Sequence, residues 1–484
     1  MNVVRLSPAS PTADLRALEE VSDFATTDMG WGGEERWTYR KLKEEEIIPE
    51  ILRISHHGLQ EGVDYITFQP CMTYESRSQD RFVVQNWDLQ GKRWTFTAIF
   101  DGHGSHDTVD FVVEYLPARV RRTLQSTLTN GTASPASISR LLHDAIIETD
   151  NAITNEFLRL FPEGREGISR LSDREIESRV RNNDRITHPA IRRCMSGSTA
   201  LLSLVDPTKT QLWVANLGDC RAVLISKHPN GSYIPQRLSE VHNGGNDREL
   251  QRIKDKHPRE RECVVERRVL GFLAPTKALG DTWLKLPPEY SRRVLMKTRE
   301  FWAAGLSEEY ISRIHSPPYV SNTPQVYQHC LRSESSRRRT PRTATTAPPG
   351  RGNNQPHHNG EEFQDVALLL CSDGLVDLYE DRDIHEKDYL KLWAAKIGEI
   401  LRFPDSPYSP GSSPRSPSRQ TPATRDIRGD NKRENAFRSS QNIAVQLLRD
   451  AIGGDDLTKV SANLTVEMDE RWMDDTTILV QRFE

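Results

Sequence analysis

The chain contains 484 residues, and its 65 basic and 69 acidic side chains give a formal net charge of −4. This near balance argues against a general nucleic-acid-binding surface, and the length favours one large domain with insertions. No apolar stretch approaches the roughly 20 residues that span a bilayer. The six cysteines are widely spaced and lack CxxC spacing, which argues against a zinc cluster or a disulfide scaffold and indicates a reducing compartment.

Residues 1–62 are predicted to be an extension of unknown role with helix-like pieces such as Tyr39–Ile51. Strand-like runs follow at Asp80–Asn86 and Trp94–Phe100, and a polar loop at residues 88–91 joins them. Apolar residues at helical spacing then predict a helix from Val109 to Val120.

A second helix is predicted after its N-terminal cap at Ser137, whereas residues 161–193 look polar and irregular, like an insertion. Three strands are expected next, and we predict that they form an antiparallel meander: Ser196–Val205, Gln211–Asn216 and Arg221–Ile225.

The C-terminal half alternates between ordered and low-complexity sequence. Disordered insertions are predicted at about 332–360, which lacks large apolar residues, and at about 404–433, which is rich in Ser-Pro. Helical patterns recur at Tyr389–Leu401 and Asn442–Ile452.

Aspartates stand at the ends of three apolar strand-like runs. Asp101 follows one run, Asp373 follows Val366–Cys371, and Asp474 precedes Thr476–Val480. A single aspartate in such a place is usually a turn former. Three of them, two in Asp-Gly pairs, indicate a site for a hard divalent cation.

These residues resemble the metal-dependent serine/threonine protein phosphatases of the type 2C family over about residues 63–484, which would be the catalytic domain. Within the family the similarity is greatest to the pyruvate dehydrogenase phosphatase branch. The six matching motifs are Phe100–Gly104, Ser196–Ala200, Trp213–Ala222, Thr276–Asp281, Ser372–Asp377 and Asp474–Thr477.

The resemblance implies an α+β fold, a four-layer sandwich of two packed antiparallel β-sheets flanked by helices. It also implies hydrolysis of phosphoserine or phosphothreonine by direct attack of a water activated by two Mg²⁺ or Mn²⁺ ions. Asp101 would bridge the ions, the Gly102 carbonyl would bind one of them, and Asp373 and Asp474 would bind the other. His103 would be the general acid.

Further acidic positions match the family less directly. Asp219 and Asp377 match positions that support a possible third ion, and Asp281 matches another acidic position near the centre. Where the family usually has a Glu-Asp pair, this chain has Gln79 and Asp80, so we expect weaker binding of one ion unless Asp80 or Glu75 replaces the missing charge.

The family's phosphate-binding arginine has no clear counterpart, although Arg77 and Arg81 lie nearby in sequence. One alternative is therefore a catalytically weak regulatory module that binds phosphoproteins, and another is a metal nuclease, which the lack of an organised basic groove disfavours. We expect a monomer with a phosphoprotein partner, for which the resemblance suggests the pyruvate dehydrogenase complex, and without nucleic acid or a membrane span. The resemblance favours the mitochondrial matrix, whereas the acidic N-terminal segment favours cytosol or nucleus.

Overall fold

The computed structural model describes residues 22–71, 77–181, 186–332, 363–402 and 441–483. Glu75 and nearly all of the two predicted disordered insertions lie outside these residues. Within the described ranges, no helix has the length and apolar character needed to cross a membrane.

Runs of successive strands are separated by runs of helices along the chain. The strands are β1 (Phe24–Thr27), β2 (Trp37–Arg40), β3 (Ser55–Gln60), β4 (Val63–Phe68), β5 (Arg81–Leu89), β6 (Lys92–Phe100), β7 (Gly102–His103), β8 (Gly197–Ser198), β9 (Ala200–Val205), β10 (Gln211–Leu217), β11 (Arg221–Lys227), β12 (Tyr233–Arg237), β13 (Val264–Val265), β14 (Arg268–Val269), β15 (Leu279–Gly280), β16 (Gln325–Cys330), β17 (Gln364–Cys371) and β18 (Thr476–Arg482). The helices are α1 (Glu44–Ile54), α2 (His106–Thr129), α3 (Pro135–Arg159), α4 (Gly164–Arg170), α5 (Asp173–Val180), α6 (Pro189–Arg192), α7 (Asp247–Lys256), α8 (Pro288–Arg293), α9 (Arg299–Ala303), α10 (Glu308–Ser312), α11 (Asp373–Glu380), α12 (Glu386–Arg402), α13 (Ile443–Ala451) and α14 (Leu457–Thr465).

The chain divides into two compact units. The first holds the described residues within Met1–Gln60, Asp64–Ser78 and Gly374–Leu479, and the second holds those within Glu61–Val63, Gln79–Asp373 and Val480–Glu484. Helices flank antiparallel sheets, so the expected α+β class is confirmed.

The second unit contains a five-stranded sheet with the order β16-β10-β9-β6-β5. Its paired strands are antiparallel, and β5 and β6 form a hairpin from Arg81↔Phe100 to Leu89↔Lys92. Residues 88 and 89 thus belong to β5, and the turn has fewer residues than the loop predicted at 88–91. Apolar side chains of α2 and α3 pack on this sheet and bury Trp87, Phe96 and Trp213.

The predicted meander is wrong at its third strand. β9 and β10 pair as expected, but β11 leaves for another sheet, where it lies between β12 and β17. Gly218 explains the change of direction, because its φ of 117° is a conformation that favours glycine. The chain can therefore turn sharply after β10 and enter the other sheet.

The described residues of the segment 161–193, namely 161–181 and 186–193, contain regular structure, contrary to the prediction. They form the short helices α4, α5 and α6, whose side chains Ile168, Ile176 and Ile191 are fully buried in one apolar cluster. Few apolar residues suffice because each short helix buries only one side. The N-terminal cap of α3 is likewise Ser134 rather than Ser137; the two serines form a reciprocal capping box.

The first unit joins the N-terminal segment to residues near the C-terminus. β1 and β2 form an antiparallel pair, and Tyr39 packs with Val466 in an apolar cluster. The backbone N–H of Leu42 donates to Ser461 Oγ at 2.9 Å. The predicted helix at Tyr39–Ile51 begins later, at Glu44, because Tyr39 belongs to β2. The parts of β18, β4 and β3 that belong to this unit are neighbours in that order.

Candidate metal and catalytic site

Three carboxylates converge in the second unit. Asp101 follows β6, Asp219 follows β10, and Asp373 stands just after β17. One carboxylate oxygen from each lies within 4.8 Å of the others. Like charges this close repel one another, so the cluster is stable only if protons or a cation reduce the repulsion.

The backbone around Asp101 is fixed by Thr199. The Thr199 N–H donates to the Asp101 carbonyl at 2.8 Å, and the Asp101 N–H donates to Thr199 Oγ1 at 3.1 Å. A Cβ on the next residue, Gly102, would lie 2.8 Å from the Gln79 carbonyl oxygen and 2.9 Å from Val109. Glycine is therefore required for this close approach.

Asp219 is the most buried member of the cluster, with a residue exposure of 2%. Asn243 donates its side-chain N–H to Asp219 Oδ2 at 2.9 Å, whereas Asp219 Oδ1 is buried without a hydrogen-bond partner among the described residues. Burial raises the pKa of Asp219, although Asn243 and the charge of Arg221 oppose the change. A carboxylate oxygen that is buried without a hydrogen-bond partner is a suitable ligand for a cation.

His103 and Asp281 meet through a small three-stranded sheet. In this sheet β8 lies between β7 and β15, so that His103 pairs with Gly197 and Gly197 with Gly280. His103 Nε2 lies 2.8 Å from Asp281 Oδ2. Burial alone would lower the pKa of His103, but the Asp281 carboxylate outweighs it and the pKa is raised.

The Gln79-Asp80 segment approaches the cluster in two ways. The Gln79 carbonyl lies beside Gly102, as described above, and Ser372 Oγ donates to Asp80 Oδ2 at 2.7 Å. Asp80 is only 4% exposed. Arg81 forms an ion pair with Asp110, with 2.9 Å between Nε and Oδ1.

Two other predicted ligands lie in the first unit. Carboxylate oxygens of Asp377 and Asp474 lie within 4.8 Å of one another, and both residues are exposed. Arg471 pairs with Asp474 at 2.7 Å and with Asp475 at 2.8 Å. Asp475 is buried and accepts a hydrogen bond from Gln69 at 3.0 Å. In both respects it differs from the exposed Asp474 beside it.

Sequence reasoning missed the residues that hold the site together. Thr199 lies within one of the six motifs and Asn243 lies outside them, and the partners of both, Asp101 and Asp219, are distant in sequence. Gly197 offered a clear signal, since glycine at the start of a strand marks a close approach of other groups.

Comparison with known proteins identifies the family of this chain. A family model described as Protein phosphatase 2C matches residues 69–336, which is more than half of the chain. The chain belongs to the protein phosphatase 2C family.

Known proteins resemble this protein phosphatase 2C chain at modest sequence identity. Human pyruvate dehydrogenase (acetyl-transferring) phosphatase 2, mitochondrial, is 27% identical over 427 residues, covering 80% of this chain and 72% of the relative. The corresponding phosphatase 1 of Rattus norvegicus is 28% identical over 352 residues, covering 70% of this chain. A protein phosphatase 2C homolog of Schizosaccharomyces pombe is 24% identical over 440 residues, covering 88% and 81%. The match spans only 55% of the rat protein.

Proposed function

We propose that this chain is a Mg²⁺- or Mn²⁺-dependent phosphatase that hydrolyses phosphoserine and phosphothreonine in a protein substrate. The observation that carries the proposal is the convergence of Asp101, Asp219 and Asp373 within 4.8 Å. Membership of the protein phosphatase 2C family supports the same activity. The catalytic region would be residues 63–484.

The ligand set suits hard divalent cations. It offers only oxygen atoms, which favour Mg²⁺ or Mn²⁺ over zinc, and one of them is the buried Asp219 Oδ1 without a partner among the described residues. Two ions, with a possible third, would supply positive charge that activates the attacking water and offsets the charge of the phosphate. The ligands we propose are the Gly102 carbonyl and the side chains of Gln79, Asp80, Asp101, Asp219, Asp373, Asp377 and Asp474.

His103 is the proposed general acid. The leaving serine or threonine oxygen needs a proton, and the raised pKa of His103 keeps the imidazole protonated over a wider pH range. Its Nε2 is held by Asp281 at 2.8 Å. Nδ1 is therefore the ring nitrogen left to transfer the proton, and Asp281 is a positioning residue.

The pyruvate dehydrogenase complex is the proposed substrate, and the mitochondrial matrix the proposed compartment. Two relatives that carry the name pyruvate dehydrogenase phosphatase and the word mitochondrial support both proposals. Gln79 favours the alternative of a catalytically weak module that binds phosphoproteins, because an amide oxygen brings no negative charge to a cation.

A comparison of two phosphoproteins tests the substrate. Purified chain is incubated with Mn²⁺ and either phosphorylated pyruvate dehydrogenase or phosphorylated casein, with Asp373→Asn as the inactive control. We expect faster phosphate release from pyruvate dehydrogenase. Equal rates would contradict the substrate assignment, and binding of either phosphoprotein without turnover would favour the regulatory module.

A further inference from the structure

A polar pocket of about 290 Å³ lies apart from the three-carboxylate cluster, within the second unit. It is bordered by α3, α7, the turn at residues 285–286 and the segment 318–323. Its charged lining residues are Asp150, Arg252, Lys256 and Lys285. The volume is at the lower limit for small-molecule sites, which indicates a ligand of only a few heavy atoms.

Positive charge exceeds negative charge around this pocket. Lys285 pairs with Asp150 at 2.7 Å, and Arg252 pairs with Glu249 at 2.7 Å. Lys277, also largely buried, lies 3.6 Å from the same Glu249. Glu249 and Lys277 stand behind the lining, whereas three of the four charged residues that line the pocket are cations, namely Arg252, Lys256 and Lys285, and the fourth is Asp150.

Two groups near the pocket, Lys277 and His242, have lowered pKa values. Burial, opposed by Glu249 but reinforced by the charges of Arg252 and Lys256, lowers the pKa of Lys277. Burial and the Lys277 charge lower the pKa of His242 to about 4. Burial is the larger cause of both changes, and the neighbouring cations add to it.

The pocket also supplies neutral hydrogen-bond donors. The Ser321 hydroxyl accepts from the Thr323 N–H at 3.2 Å, which leaves its own proton to donate, and Asn151 and Thr154 line the wall. Cations and hydroxyls that approach from several directions suit a tetrahedral oxyanion.

We propose that this pocket binds a small phosphate-bearing anion. The site is connected to the catalytic residues, because Asp150 Oδ1 accepts hydrogen bonds from both Lys285 Nζ and the backbone N–H of Gly280, which precedes Asp281. An occupant that contacts Lys285 therefore lies next to the segment that positions His103.

The test measures binding of inorganic phosphate to the full-length, metal-free protein by ³¹P NMR. Chelation of metal leaves the carboxylate cluster anionic and hence unattractive to phosphate. Lys256→Glu reverses an exposed charge at the pocket, whereas Lys254→Glu makes the same change on α7 at a residue that does not line it.

We expect wild type to bind phosphate below about 10 mM, Lys256→Glu to bind at least about tenfold more weakly, and Lys254→Glu to remain within about twofold. Unchanged affinity in Lys256→Glu, equal losses in both variants, or no binding by wild type would each overturn the proposal.

Discussion

Gly197→Ala is expected to separate His103 from Asp281 without altering either residue. Gly197 lies in the middle strand of the three-stranded sheet, so its backbone is held on both sides by β7 and β15. A Cβ at this position would lie well inside 3.0 Å of both His103 Nε2 and Asp281 Oδ2. The backbone cannot yield easily, and the two side chains must therefore move.

The expected loss follows from the role of the proton donor. Removing a general acid typically costs 10²–10⁴ in rate, so we expect kcat for a phosphothreonine peptide to fall at least about 100-fold. Hydrolysis of p-nitrophenyl phosphate should fall far less, because its leaving group needs no proton. Overpacking should also lower the free energy of unfolding by about 1–3 kcal/mol.

The assay compares kcat for the two substrates at saturating Mn²⁺. Gly131→Ala is the control, since Gly131 has a φ of 65° with open space around it and its substitution costs about 1–2 kcal/mol far from the site. Equal losses on the two substrates, or no loss on the peptide, would refute the assignment of His103 as a general acid oriented by Asp281.

Three further substitutions test other parts of the account. Gln79→Glu restores a negative charge and should lower the Mn²⁺ concentration for half-maximal activity about tenfold; an unchanged metal titration would count against Gln79 as a ligand. Burial would raise the pKa of Asp365, but hydrogen bonds to its carboxylate outweigh burial and lower the pKa to about 2. The ionised carboxylate therefore contributes about 2 kcal/mol to the free energy of unfolding above pH 4, and this contribution is lost as the pH falls towards 2. Asp365→Asn should therefore lower the free energy of unfolding by this amount at pH 7 and by much less near pH 2, as urea titrations can measure. Asp150→Ala leaves Lys285 buried without its partner and should cost about 3–5 kcal/mol, against less than about 0.5 kcal/mol for the exposed Asp144→Ala on the same helix.

Local signals in the sequence were sufficient to predict most strands that carry the site. Apolar runs ending in Asp-Gly predicted the strands before Asp101 and Asp373, and these strands are present as β6 and β17. Such predictions succeed because strand periodicity and the residue that ends a strand are both encoded within a few neighbouring positions.

Features that depend on contacts between residues distant in sequence could not be predicted from such local signals. The bond between Thr199 and Asp101 joins residues 98 positions apart, and that between His103 and Asp281 joins residues 178 apart. The move of β11 to another sheet depends on which strand is available as a partner. Neither hydrophobic pattern nor motif spacing contains that information.

The most direct test of the central claim is the rate of phosphate release from a phosphothreonine peptide across Mg²⁺ and Mn²⁺ titrations, with Asp101→Asn as the control. We predict activity that saturates with metal and is lost in the variant. Absence of activity at every metal concentration, or equal activity in wild type and Asp101→Asn, would contradict a metal-dependent phosphatase centred on Asp101.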